Sequence, residues 1–153
     1  KMECEGNGMG MPRKHFKILS MIDFIKYAQF VSAVTSEESK DYTSFANRIY
    51  QLAEDGVPTE RLLTASVGLC AESGEFTEIV KKMVFQGKPP SEENFYHMKR
   101  ELGDIMWYFM QACLALDVSP EEIIVMNVEK LKARYPGGEF DVHYSENRVE
   151  GDI

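Results

Sequence analysis

Two pairs of carboxylate residues stand out in this sequence, because each pair is spaced to lie on one face of a helix. Glu72 and Glu75 form the first pair, and Glu101 and Asp104 form the second. Residues three positions apart are neighbours on a helix surface, and carboxylate oxygens bind hard divalent cations such as Mg²⁺. One such pair alone would be an ordinary solvated surface. The chemistry therefore depends on whether the two pairs meet.

The sequence between the two pairs predicts that they do meet. Gly-Lys-Pro-Pro at 87–90 interrupts the helical pattern, and Ser91 follows as a candidate N-cap of a new helix. Both pairs lie roughly 15 to 22 Å from this turn at the rise of an α-helix. Two antiparallel helices would therefore bring four carboxylates together. Because such a cluster repels itself unless a cation neutralises it, we expect it to bind Mg²⁺, with Mn²⁺ as a substitute.

Helical periodicity extends through the rest of the chain, without the alternation that is typical of strands. We therefore predict an all-α fold: an oligomeric helical bundle in which two long antiparallel helices carry the acidic site. The domain is expected at residues 18–136, between a mobile tail at 1–17 and a C-terminal extension at 137–153. The predicted helices run from Ser20 to Val34, around Phe45 to Ala53, from Thr59 to the turn at 87–90, from Ser91 to Asp117, and from Ser119 to Tyr135.

The composition is that of a globular protein that repels polyanions. The chain has 153 residues, of which 44% are hydrophobic and 27% charged, and its formal net charge is -8. Nucleic acid and acidic membranes are therefore not expected as partners. The three cysteines, Cys4, Cys70 and Cys113, show no CxxC spacing and are expected to be reduced thiols of a cytoplasmic protein, with Cys70 and Cys113 in the core.

Small and basic residues near the acids suggest how a substrate could bind. Gly74 and Gly103 would allow the two helices to approach closely. Lys82 and Tyr108 lie two helical turns beyond the acids, where the lysine could bind a phosphate and the tyrosine could stack on or hydrogen-bond a base. A solvated lysine and a core tyrosine are equally good interpretations.

A cationic stripe is predicted on the last long helix. Asn127, Lys130 and Arg134 fall on one face of it in an otherwise acidic protein. Phosphate oxygens are natural partners for this stripe, and arginine can bind them through two hydrogen bonds. A surface face held by salt bridges is the alternative.

Taken together, these residues resemble the MazG-like nucleotide pyrophosphohydrolases of the all-alpha NTP pyrophosphatase superfamily. The signature of that family is Glu-x-x-Glu followed by Glu-x-x-Asp on the next helix, and the resemblance extends over about residues 42–152, including Asn-x-x-Lys-Leu-x-x-x-Tyr-Pro at 127–136. It implies Mg²⁺-dependent hydrolysis of nucleoside triphosphates to a monophosphate and pyrophosphate. It also implies that the four acids are the metal ligands and that the protein is a homodimer or a dimer of dimers. Among the acids, Glu75 is a candidate for orienting the attacking water.

Other functions remain open at this level. A specialised relative could hydrolyse a different phosphoanhydride, such as phosphoribosyl-ATP or a deoxyuridine nucleotide. A non-enzymatic helical interaction module would carry the same acids as surface residues. A di-iron bundle is disfavoured because it needs Glu-x-x-His, and the residue three before His97 is Asn94.

Overall fold

A computed structural model describes residues 22–147 of the chain. These residues form helices and connecting turns and contain no strand, which confirms the all-α prediction. The contacts divide the chain into two units, residues 1–50 and 51–153, which are described separately below. The predicted tail at 1–17, the predicted cap Ser20 and Cys4 lie outside the described residues.

The first unit contains helix α1 (Phe24–Val34), a 3₁₀ turn (Glu37–Ser39) and most of helix α2 (Tyr42–Glu54). Helix α1 begins after Asp23, whose carboxylate accepts hydrogen bonds from the amides of Ile25 at 3.0 Å and Lys26 at 3.2 Å. Aspartate is a strong N-cap, so the structure corrects the predicted start at Ser20. No residue of α1 or α2 is buried, although their apolar stripes are typical of core helices.

The second unit contains the two long helices, α3 (Thr59–Phe85) and α4 (Glu92–Leu116), followed by α5 (Pro120–Arg134) and the short α6 (Val142–Glu146). The predicted N-caps of α4 and α5 are confirmed. Ser91 Oγ accepts a hydrogen bond from the amide of Asn94 at 3.2 Å, and Ser119 Oγ accepts one from the amide of Glu122 at 3.1 Å. Helix α4 ends at Asp117, which adopts the left-handed conformation with φ 52°.

Helices α3 and α4 pack against each other as the predicted antiparallel pair. The buried residues of the two helices include the small residues Ala65 and Gly68 on α3 and Cys113 and Ala115 on α4. The helices approach closely at Gly68, where an added Cβ would overlap the ring of Tyr108. This corrects the roles expected for Gly74 and Gly103, because no atom lies within 4 Å of a Cβ built on either of them.

The rest of the second unit is more exposed than the sequence predicts. No residue of α5 is buried. Cys113 lies in the core as expected, whereas Cys70 is exposed, and both are free thiols. Helix α6 was not predicted; Asp141 begins it by accepting a hydrogen bond from the amide of His143 at 2.7 Å. None of the helices between residues 22 and 147 is both long and apolar enough to cross a membrane.

Candidate metal centre and the adjoining cleft

Three of the four predicted acids converge where α3 and α4 face each other. Glu72 comes from α3, and Glu101 and Asp104 come from α4; one carboxylate oxygen of each lies within 4.8 Å of the others. Two oxygens bound to one hard cation are separated by at most about twice the metal–oxygen distance, which is roughly 4 Å for Mg²⁺ and 5 Å for Ca²⁺. Small side-chain rotations therefore suffice for the three carboxylates to share one divalent cation.

The fourth acid, Glu75, lies beside this cluster rather than within it. Glu75 is not part of the group of three carboxylates whose oxygens lie within 4.8 Å of one another. Glu72 is half-buried, whereas Glu75 is exposed. The charge of Glu75 still acts on Glu72, as described next. Glu75 therefore lies next to the proposed metal site without being one of the three converging carboxylates.

The raised pKa of Glu72 reflects partial burial and uncompensated negative charge in the cluster. Partial burial raises the pKa of this carboxyl above its ordinary value, and the nearby charges of Glu75, Asp104 and Glu101 raise it further, as does a hydrogen bond with Glu101. A bound cation would stabilise the ionised carboxylates. The donor set and its charge therefore fit a hard divalent metal ion.

Replacing Glu72 by glutamine is expected to stabilise the metal-free protein at neutral pH. Because the pKa of Glu72 is higher in the folded than in the unfolded state, ionisation of Glu72 opposes folding once the pH exceeds both values. The gain should disappear at a pH below the ordinary pKa of glutamate, where both states are protonated. The difference in stability between the variant and the wild type is measured by thermal unfolding in excess chelator, at neutral pH and at a pH below the ordinary pKa of glutamate.

The matched control for this variant is Glu60→Gln, in the first turn of the same helix and outside the cluster. It is expected to show no pH-dependent gain. With saturating Mg²⁺ the wild type should become more stable than Glu72→Gln, because bound cation stabilises the wild type and the variant lacks one metal ligand. A Glu72→Gln protein that is less stable than the wild type in chelator would contradict the electrostatic description.

A polar cleft of about 290 Å³ extends from the cluster towards the turn between α3 and α4. Its lining shares Glu101 with the cluster and includes Glu75. All of its lining side chains except Ile79 are charged or polar. The remaining lining residues are Glu78, Lys82, Lys88, Asn94 and His97.

The basic side chains of this cleft are not equivalent. Lys82 Nζ lies 3.3 Å from Glu78 Oε1, and Glu78 also pairs with Lys81, so two lysines hold the pKa of Glu78 below its usual range. His97 lies 3.8 Å from Glu93. Lys88, by contrast, forms no ion pair with any carboxylate of residues 22–147. The lysine that the sequence singled out is thus already paired within its own helix.

The structure does not bring the other predicted substrate contacts into this cleft. Tyr108 is half-buried, with its ring over Gly68 and edge-on to the ring of Trp107 at 4.8 Å. Asn127, Lys130 and Arg134 lie on α5, and none of them is among the lining residues. Their predicted contacts with a base and with phosphates stay predictions.

A second cleft, of about 300 Å³, lies at the end of α5 and shares no residue with the acidic cluster. It is mainly apolar, and the rings of Tyr135 and Phe140 meet there at 5.9 Å. Sequence reasoning singled out three lining residues of the polar cleft, Glu75, Lys82 and Glu101, but missed its other lining residues and the whole of the apolar cleft.

Comparison with known proteins agrees with the site. The family model of the MazG nucleotide pyrophosphohydrolase domain matches residues 61–138, which include α3 from its third residue, all of α4 and all of α5. The chain is also 35% identical over 91 residues to the Gene 37 protein of Mycobacterium phage L5, a match that covers 59% of this chain and 80% of the phage protein. No solved structure matches.

The matched range contains all four acids of the two helical pairs and the cleft beside them. Family, fold and site thus agree over the same stretch of sequence. This chain belongs to the MazG nucleotide pyrophosphohydrolase domain family.

Proposed function

We propose that this protein is a Mg²⁺-dependent nucleoside triphosphate pyrophosphohydrolase that converts an NTP or dNTP to the monophosphate and pyrophosphate. The observation that carries the proposal is the convergence of Glu72, Glu101 and Asp104 in a chain of the MazG family. Mn²⁺ is expected to substitute for Mg²⁺. The proposed location is the cytoplasm, on the sequence argument of unpaired, reduced cysteines.

The proposed reaction is attack of water on the α-phosphorus. A new P–O bond forms there, the bond from the α-phosphorus to the α–β bridging oxygen breaks, and its electron pair leaves with pyrophosphate. Bound Mg²⁺ would neutralise phosphate charge and acidify water. Glu75, which is exposed beside the cluster and lines the cleft, is the candidate that orients the water and accepts its proton.

The remaining substrate contacts are proposed for residues outside the cleft. Lys130 and Arg134 on α5 would bind phosphate oxygens, with Asn127 as a further donor. Tyr108 would contact the base. Since α5 contributes nothing to the lining of the cleft, we assign its phosphate contacts to a second copy of the chain, whose α5 would reach the site of its partner.

Association with a second copy also accounts for the apolar surface of the single chain. Large hydrophobic side chains are exposed on all three long helices of residues 51–147: Val67 on α3 is 67% exposed, Trp107 on α4 54%, and Met126 on α5 57%. Exposure of this many large apolar side chains favours a protein interface over a solvated surface. We therefore propose a homodimer or a dimer of dimers as the functional form.

The single tryptophan of the chain reports on this association. Trp107 is half exposed in one chain, so burial in an oligomer is expected to shift its emission to shorter wavelength, and dilution should reverse the shift as the molar mass by light scattering falls. Trp107→Asp is expected to be monomeric, since a buried unpaired charge is costly. A wild-type protein that is monomeric at high concentration would contradict the proposed oligomer.

The function is tested by measuring pyrophosphate release from a panel of ribo- and deoxyribonucleoside triphosphates, with Mg²⁺ and with excess chelator. Metal-dependent release supports the proposal and ranks the bases. Pyrophosphate release only from phosphoribosyl-ATP or a deoxyuridine nucleotide would instead identify the protein as a specialised phosphoanhydride hydrolase. No turnover of any substrate by a folded protein that also fails to bind Mg²⁺ would favour an interaction module.

A further inference from the structure

The turn between α3 and α4 carries a lysine, Lys88, whose backbone is hydrogen-bonded to the end of α3. The backbone amides of Gln86 and Lys88 both donate to the carbonyl of Lys82, each at 3.1 Å. Gly87 between them adopts φ +67°, a conformation that glycine takes at little cost. The backbone of Lys88 is therefore tied directly to the end of α3.

The same turn is tied to α4 by a buried side chain. Asn94 is 3% exposed, and its Nδ2 donates to the carbonyl of Pro89 at 2.8 Å. The amide of Asn94 in turn donates to Ser91 Oγ at 3.2 Å. Lys88 thus sits on a turn whose backbone is attached to both helices of the site, which keeps the base of this side chain at the cleft.

The two ends of the cleft differ in charge. Its acidic end is the cluster, which needs a cation; its other end is the turn, where Lys88 has no carboxylate partner within residues 22–147. Lys82 is already paired with Glu78. An anion lying along the cleft would meet the metal site at one end and Lys88 at the other, whereas a base would find Ile79 as its one apolar contact in the lining.

We propose that this cleft is the pyrophosphate subsite and that Lys88 binds the terminal phosphates of the substrate. This inference rests on the proposed function and deepens it: the α-phosphate lies at the acidic cluster, and the β- and γ-phosphates extend towards the α3–α4 turn. The leaving pyrophosphate receives the electron pair of the broken bond, so an ammonium group at that end of the cleft stabilises the charge that develops there.

The inference is tested by the affinity of inorganic pyrophosphate, measured by titration calorimetry in the presence of Mg²⁺ and without turnover. Lys88→Gln is expected to weaken binding roughly tenfold, the loss typical of one hydrogen bond to a charged group. Lys88→Arg, which keeps the charge, should bind within a few-fold of the wild type. Lys99→Gln, the same change at an exposed residue of α4 outside the cleft, should leave the affinity unchanged.

The possible results separate this inference from the proposed function. Triphosphate hydrolysis together with equal pyrophosphate affinity in the wild type and Lys88→Gln would overturn the subsite and leave the function standing. Lys88-dependent pyrophosphate binding without hydrolysis of any triphosphate would support the anion site and overturn the proposed function. An equal loss in Lys88→Gln and Lys99→Gln would mean that general charge, rather than a site, attracts the anion, and would also overturn the inference.

Discussion

Replacing Glu101 by glutamine is expected to abolish pyrophosphate release while the fold persists. Glu101 belongs both to the acidic cluster and to the lining of the cleft, so it is the acid most directly shared by metal and substrate. A metal ion supplies several kcal/mol of transition-state stabilisation in such reactions, and loss of a ligand is expected to cost about a hundredfold in rate or more. Glutamine keeps the shape and removes one charge from a self-repelling cluster, which should leave the helices intact.

The measurement is the initial rate of pyrophosphate release from the best triphosphate of the panel, alongside circular dichroism and Mg²⁺ titration. Glu92→Gln is the matched control, since Glu92 lies on the same helix but in its first turn and is exposed. It should retain the wild-type rate. Activity of Glu101→Gln within a few-fold of the wild type would remove the acidic cluster from the mechanism.

Replacing Gly68 by alanine is expected to give the largest loss of stability of any single methyl addition on α3. The new Cβ would overlap the ring of Tyr108, which must then move away from its packed position. Overpacking of this kind costs about 1 to 3 kcal/mol, which exceeds the gain of about 1 kcal/mol that alanine brings over glycine in a helix. Chemical denaturation measures the difference.

Two further variants separate the clash from the backbone effect. Gly74→Ala, on the same helix with nothing within 4 Å of the added Cβ, is expected to stabilise the protein by about 1 kcal/mol. In a Tyr108→Ala background, Gly68→Ala should no longer destabilise, because the ring that it meets is gone. Equal gains from Gly68→Ala and Gly74→Ala in the wild type would disprove the packing of Tyr108 on Gly68.

The helices were predictable because their signals are local. Ser91 and Ser119 cap the residues that directly follow them, and the turn at 87–90 breaks the chain by its own composition. The helical rise predicted that the two acidic pairs lie at a similar height along the paired helices. Of the four acids predicted to converge, Glu72, Glu101 and Asp104 do so.

The rest depended on how the helices rotate about their axes, which no local signal reports. Gly68, Gly74 and Gly103 look alike in the sequence, yet only Gly68 meets the opposite helix. For the same reason Glu75 lies beside the cluster, and Cys70 faces solvent while Cys113 is buried. The rest of the polar cleft was missed because Lys88 and His97 come from different elements and meet only through packing.

The division of the acids between two helices has a consequence for the chain itself. Since Glu72 is on α3 and Glu101 and Asp104 are on α4, a cation held by all three would be a reversible cross-link that closes the intervening loop of chain. Binding free energy at such a link adds to the stability of the native state. Bound metal would then add to the stability of the packed α3–α4 pair, and its removal would make the chain more sensitive to proteolysis.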